Sequence, residues 1–390
     1  RRETPSVRGA GEVQLGGIAE EGEGGEAPAS APAPLPLPMP ALAPGPVVAY
    51  AISVTSLEFP KAKTMLDSAE VLINSIRKAC GTSRYRCDFV AFALPSVGQE
   101  GRRHLEGMGW RQGIIEKNLP VALEDIENET YRKFVVNSGC CGANEFIKLH
   151  AYTLTDYHRV VHLDADTLIL HHMDELMESE ASLVYTTDPA MATKGSKAMP
   201  VQGGFLLVRP DLGVYYELCA IVREGNWRIG AGWGDSNIGY FYGGATVQGL
   251  LPYYYNIVAP GTAMEVNRCI YNHMSDSDEC RSERYTLIAR GEEEGTEARA
   301  RKPRVAITQS SKVDTGVFVP GVSAIKSVHF TQSCTKPWFC PRVTEMEPNE
   351  RSCRLLQQAW RDGRRDIMEA RGLPLTPACS NGGYLAIPRS

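Results

Sequence analysis

Between residues 47 and 163, short apolar runs alternate with stretches whose apolar residues recur at helical spacing. That alternation restricts the chain to an α/β fold with a mostly parallel, doubly wound sheet flanked by helices. The first run, Val47 to Val54, reads Val-Val-Ala-Tyr-Ala-Ile-Ser-Val, the pattern of a strand buried on both faces. Asp67 or Ser68 is placed to cap a helix whose positions Val71, Leu72, Ser75 and Ile76 share one face, with Gly81 as its stop. Strands follow at Cys87 to Leu94, near Gly113 to Ile115 and at Arg159 to Leu163, separated by helices near Glu100 to Met108 and from Asn144 to Leu154. Beyond them the spacing predicts a strand at Phe205 to Val208, a helix from Asp211 to Glu224 and a strand at Ile325 to Phe330 that returns to the sheet. A closing helix from Asn349 to Glu369 carries Leu355, Leu356, Ala359 and Trp360 as a packing face.

The flanks differ in composition. Residues 1–46 are rich in Gly, Ala, Pro and Glu, with proline at alternate positions from Pro32 to Pro38, and are expected to be a disordered leader or stem. The folded domain is expected over 47–345, interrupted by a polar insertion at about 259–322, with a helical, cysteine-containing tail over 346–390. The formal net charge of −5 gives no field that would gather nucleic acid, so no nucleic-acid partner is expected. No run of about 20 apolar residues is present, so no membrane span is expected in the given chain. Eleven cysteines cannot all pair within one chain. The late group Cys334, Cys340, Cys353 and Cys379 would gain most from crosslinks, and Asn128-Glu129-Thr130 fits an N-glycosylation acceptor; both lean towards a secretory-pathway or Golgi lumen, with reduced cytoplasmic thiols as the alternative.

Chemistry concentrates at His162-Leu163-Asp164-Ala165-Asp166-Thr167, where a β-branched strand runs into two carboxylates separated by one small residue. In an open α/β sheet that strand end is where ligands bind. Two hard oxygen ligands at this spacing suit Mn²⁺ or Mg²⁺ and leave coordination positions for a diphosphate; the plainer alternative is a solvated turn.

The stretch Phe146 to Tyr157, the Asp164 motif and Met173-Asp174-Glu175-Leu176 together resemble the core of glycosyltransferase family 8, the glycogenin-like enzymes. The resemblance continues through Gln202-Gly203-Gly204-Phe205, Leu251-Pro252-Tyr253-Tyr254-Tyr255-Asn256, His329-Phe330 and Lys336-Pro337-Trp338, covering about residues 47–340. It implies a GT-A fold and a retaining transfer of a hexose or related sugar from a nucleotide sugar, a UDP-sugar foremost, to a carbohydrate or glycoprotein acceptor. By position it implies that Asp164, Asp166 and His329 ligate Mn²⁺ or Mg²⁺, and that Lys336 faces the donor phosphates. It further implies that Lys148 lies near the donor sugar and phosphate, that Val54, Thr55 and Ser56 line the nucleotide pocket, and that Ala165, Gln202, Gly203 and Gly204 border the donor.

Two positions depart from the family pattern. No Asp-Gln pair stands where the family has one beside the transferred sugar: Asp235 keeps the acid with Ser236 after it, while Gln248 keeps the amide with Val247 before it. Asp235 is slightly preferred and Gln248 is nearly its equal. Gln332 occupies a position where glycine is usual, and a Cys334–Cys340 bridge is one way to refix that loop. The rival readings are a catalytically inactive relative that binds a nucleotide sugar or glycan, and a nucleotidyltransferase, which the absence of glycine from Val54 to Phe59 disfavours. Tyr240, Tyr242, Tyr253, Tyr254 and Tyr255 are expected to pack or stack rather than to accept sugar.

Overall fold

The computed structural model describes residues 45–57, 62–110, 114–274, 280, 324–332, 334–340, 351–380 and 383–389. The leader lies outside the described residues except for Gly45 and Pro46, as do residues 275–279 and 281–323. The central sheet contains β1 (Val47–Val54), β2 (Arg86–Ala93), β3 (Ile114–Glu116), β4 (Arg159–Leu163), β6 (Leu183–Thr187), β7 (Val201–Val208) and β10 (Ala263–Glu265). Their order is β10-β6-β7-β4-β1-β2-β3. All neighbouring strands run parallel except for β7, which is antiparallel to both β4 and β6. The sheet is therefore mixed and mostly parallel.

Strand period divides β1 between two cores. Val48, Tyr50, Ile52 and Val54 face α1 (Ala62–Cys80) and α2 (Gly98–Met108), whereas Ala49 and Ala51 face a helical layer containing Phe146, Leu149, Leu218 and Leu250. That second layer comprises a 3₁₀ helix (Gly142–Thr153), α5 (Leu212–Glu224) and α6 (Val247–Tyr253), the last running into a π-helical turn (Tyr254–Val258). Two short helices, α3 (Glu129–Val135) and α4 (Asp174–Met177), lie before it and after β4. A third core, centred on Val328, Phe330, Leu356 and Trp360, forms beneath the C-terminal helix Arg351–Ala370. Leu355 of that helix is exposed rather than part of its packing face.

Several expectations change. Helix α1 starts at Ala62, and Asp67 is no cap: its buried carboxylate accepts hydrogen bonds from Tyr384 Oη (2.6 Å) and Ile387 N (2.8 Å) and pairs with Arg389, fastening the C-terminal tail. The segment from Asn144 is 3₁₀ rather than α-helical. The first part of the expected insertion is ordered structure: β10 extends the sheet beside β6, and α7 (Arg268–Tyr271) follows it. The strand β11 (Ser327–His329) does not rejoin the central sheet but pairs antiparallel with β5 (Thr167–Ile169), because the chain turns sharply between β4 and β5.

All four late cysteines are bridged, as Cys334–Cys353 and Cys340–Cys379; the expected Cys334–Cys340 pairing is therefore wrong. Cys80–Cys87 ties the end of α1 to β2, and Cys269–Cys280 closes a loop after β10. No helix among the described residues is long and apolar enough to cross a membrane. Asn128 of the glycosylation tripeptide caps α3, its side-chain oxygen accepting from Tyr131 N at 3.1 Å.

Candidate metal centre

Register brings the two aspartates and His329 together. Beyond β4 the chain makes a tight turn in which Thr167 N and Oγ1 both donate to Asp164 O, at 3.1 and 2.8 Å, and Ser68 Oγ on α1 donates to Ala165 O at 2.6 Å. Across the β5–β11 pair, His329 stands opposite Thr167, and Phe330 N donates to Asp166 O at 2.9 Å. The ligand atoms of Asp164, Asp166 and His329 consequently all lie within 4.8 Å of one another. Nε2 of His329 is 3.2 Å from Asp166 Oδ1 and 3.9 Å from Asp164 Oδ2.

A lysine faces each aspartate. Lys148 Nζ is 2.8 Å from Asp164 Oδ1, and Lys336 Nζ pairs with Asp166 while also donating to Phe330 O at 3.1 Å. Lys148 is buried, and its charge is maintained by a second carboxylate, Glu145 Oε2, at 2.6 Å. In a 3₁₀ helix residues three apart eclipse one another, so the helix type aligns Glu145 with Lys148. Sequence reading missed Glu145; its i,i+3 spacing from Lys148 was the available signal. Burial works against the Lys148 ammonium, but Asp164 and Glu145 outweigh it and hold its pKa above the ordinary lysine range. Burial likewise opposes charge on Asp166, yet His329 and Lys336 bring its pKa well below the usual carboxylate range. For His329, burial favours the neutral ring, and the two aspartates reverse that to a net upward shift.

Two glycines of β7 make the convergence possible. A Cβ on Gly204 would lie 2.6 Å from His329 Nδ1 and 3.1 Å from Asp164 Oδ2; one on Gly203 would lie 3.2 Å from Lys148 Nζ and 3.5 Å from Gln248 Cγ. Lys148 Nζ also donates to Gly203 O at 3.1 Å, and Gln202 Oε1 accepts from Gly204 N at 2.6 Å. At the end of β1, Val54 is buried, Thr55 is half-buried with its carbonyl accepting from Ser96 Oγ at 2.7 Å, and Ser56 is exposed.

The two sugar-side candidates separate. Gln248, at the start of α6, is half-buried beside Gly203 and its amide reaches Met191 Sδ at 3.5 Å. Asp235 is exposed at the β8 (Trp227–Arg228) and β9 (Gly232–Trp233) hairpin, where it pairs with Arg228. Gln332 keeps the left-handed backbone (φ 51°) that a glycine would adopt freely, held by its amide nitrogen donating to both oxygens of Asp188 at 2.8 and 2.9 Å. Of the five tyrosines, Tyr254 and Tyr255 are buried, and Tyr255 Oη bonds Tyr152 Oη at 2.8 Å.

No family model matches the chain. Over 112 residues, 28% of its length, the chain is 33% identical to glycogenin-1 of Mus musculus, and the match spans 31% of that relative. Among solved structures, it is similar to the galactosyltransferase LgtC in complex with donor and acceptor sugar analogs (TM-score 0.43, 15% identity, 80% of this chain and 95% of that one). It is also similar to the bifunctional glycosyltransferase WbbM (TM-score 0.44, 14% identity, 85% and 51%) and to mouse xyloside xylosyltransferase 1 (TM-score 0.39, 11% identity, 58% and 86%). The glycogenin-1 match supports the likeness to glycosyltransferase family 8 carried by the sequence motifs.

Proposed function

We propose that this chain is a GT-A-type, metal-dependent retaining glycosyltransferase that moves a hexose or related sugar from a nucleotide sugar, a UDP-sugar foremost, to a carbohydrate or glycoprotein acceptor. The observation that carries the proposal is the gathering of the Asp164, Asp166 and His329 ligand atoms within 4.8 Å at the carboxyl end of β4. Two carboxylates and one imidazole, with coordination positions left over, fit Mn²⁺ or Mg²⁺. When bound, such a cation supplies charge neutralisation for a departing diphosphate.

The chain's own residues do the rest. Lys336 and Lys148, each paired with an aspartate when no donor is bound, turn towards the donor phosphates as point charges. Val54, Thr55 and Ser56 border the nucleotide, and Ala165, Gln202, Gly203 and Gly204 form the floor on which the donor lies. Gln248 takes the sugar side because it stands beside Gly203 and Lys148, and its amide dipole supports an oxocarbenium-like transition state. In the transfer the bond from the anomeric carbon to the phosphate oxygen breaks and the glycosidic bond forms on the same face. The acceptor proton passes to the departing diphosphate.

The test is incubation of the purified protein with Mn²⁺ and a panel of nucleotide sugars. Release of nucleoside diphosphate from one donor, abolished by EDTA and restored by Mn²⁺, is the expected result. Donor binding without release across the panel would replace this reading with that of an inactive binding relative.

A further inference from the structure

Of the eleven cysteines, Cys140, Cys141 and Cys219 are free in the structure, and Cys219 is buried. Cys140 and Cys141 are exposed neighbours in the loop between α3 and the 3₁₀ helix, flanked by Gly139 (φ 67°) and Gly142 (φ 58°). A Cβ on Gly142 would run into the carbonyl of Val136, so the tight turn that presents both thiols on one side depends on glycine. Their Sγ atoms are 2.8 Å apart, and Cys140 Sγ is 3.7 Å from Glu145 Oε1. The ligand atoms of all three residues lie within 4.8 Å of one another.

We propose that Cys140, Cys141 and Glu145 form a second cation site, selective for a thiophilic divalent ion of the Zn²⁺ class. Two thiolates and a carboxylate supply three protein ligands and leave a fourth position open to water. Two thiolates favour a soft ion more strongly than the carboxylate-rich Asp164, Asp166 and His329 set does, so the two sites differ in cation preference. Zinc–sulfur bonds of about 2.3 Å in a tetrahedron place two sulfurs roughly 3.8 Å apart, so the thiols separate by about 1 Å on binding. Exposed side chains can make that rotation. The hydrogen bond between the two thiols lowers the pKa of Cys140 and, together with burial, raises that of Cys141, so a metal entering between them must displace the Cys141 proton.

The site is joined to the candidate metal centre. Glu145 presents Oε1 to Cys140 and Oε2 to Lys148 at 2.6 Å, and Lys148 is 2.8 Å from Asp164. The loop also touches the segment that carries Gln248, since a Cβ on Gly139 would lie 2.9 Å from Gly243 Cα. A zinc ion drawing on Glu145 therefore weakens the restraint on Lys148.

The test is a zinc titration of the whole chain against a chromophoric chelator, in excess Mg²⁺ to fill hard carboxylate sites, alongside native alkylation counted by intact mass. The expected result is one Mg²⁺-resistant equivalent of zinc. Two alkylations should occur without zinc and none with it. Cys140→Ser with Cys141→Ser should weaken zinc binding by at least about 100-fold, and Glu145→Gln by about tenfold. Absence of Mg²⁺-resistant zinc, unchanged zinc binding in the double serine variant, or thiols that resist alkylation because they are already joined to each other would each overturn the proposal. If the double variant does not fold, thiol protection in the unsubstituted protein decides the matter.

Discussion

At the end of β4, Asp164, Asp166, His329, Lys148 and Lys336 are held by strand register, backbone hydrogen bonds and mutual ion pairs. The two sugar-side candidates come instead from the irregular stretch between Trp227 and Tyr253. There Asp235 sits on an exposed hairpin and Gln248 is brought to Gly203 by the packing of α6 on β7. The first region is over-determined: strand register positions the aspartates and His329, and each lysine is held by both an ion pair and a backbone carbonyl. The second depends on how a glycine-rich loop folds, with Gly239, Gly243 and Asp235 all in left-handed conformations. On the proposed function, charge handling would be built into the sheet, and sugar handling left to loops that can vary without disturbing it.

The largest expected effect is in the first region. Asp166→Asn removes an anionic ligand and leaves Lys336 without its carboxylate partner. Loss of several kcal/mol of charge stabilisation should lower donor turnover by about 10³-fold and weaken Mn²⁺ binding. Turnover with matched circular dichroism spectra checks it. A variant with unaltered Mn²⁺ dependence would break the comparison, because the over-determined region would then not be the metal centre.

Next comes Gln248→Ala, expected to lower kcat by about 100-fold with a much smaller change in KM for the donor. A change confined to KM would move Gln248 from the transition state to ground-state binding.

The contrast between the regions also explains what could be read in advance. β1, β2 and β4 were legible because strands buried on both faces leave near-continuous apolar runs, and Asp164 and Asp166 because they directly follow such a run. The role of Asp67 was not legible: its partners Tyr384, Ile387 and Arg389 are more than 300 residues away, and nothing local distinguishes a buried tail clasp from a helix cap. The same holds for the Cys334–Cys353 and Cys340–Cys379 pairing, which depends on where the C-terminal helix packs. The choice between Asp235 and Gln248 stayed open in the sequence for a related reason. Sequence spacing measures distance along a loop, whereas access to Gly203 is decided by the fold of that loop.

A smaller effect concerns pH. Burial pulls the His329 pKa down, the neighbouring carboxylates push it up, and the net shift is upward, so in the metal-free protein the ring is protonated at higher pH than a free histidine. The cation needs the neutral ring, while Asp166, held well below its usual range, is already ionised near neutrality. Mn²⁺ affinity should therefore fall with decreasing pH once it drops below the raised His329 pKa, by about tenfold per unit for one displaced proton. A calorimetric titration at several pH values tests the sign; affinity rising on acidification would exclude His329 from the ligand set.

The smallest effect is expected at Asp235. Asparagine tolerates the left-handed backbone (φ 54°) as aspartate does, so Asp235→Asn removes the charge without imposing strain. Its ion pair with Arg228 is exposed, and such pairs contribute little because water and salt already screen them. Melting temperature and donor turnover should both match the unsubstituted protein, with Gln248→Ala measured alongside. If Asp235→Asn instead lost turnover while Gln248→Ala kept it, the sugar side would pass from α6 to the β8–β9 hairpin. That hairpin would then have to fold over the donor, bringing an exposed carboxylate now paired with Arg228 to a site it does not reach in this structure.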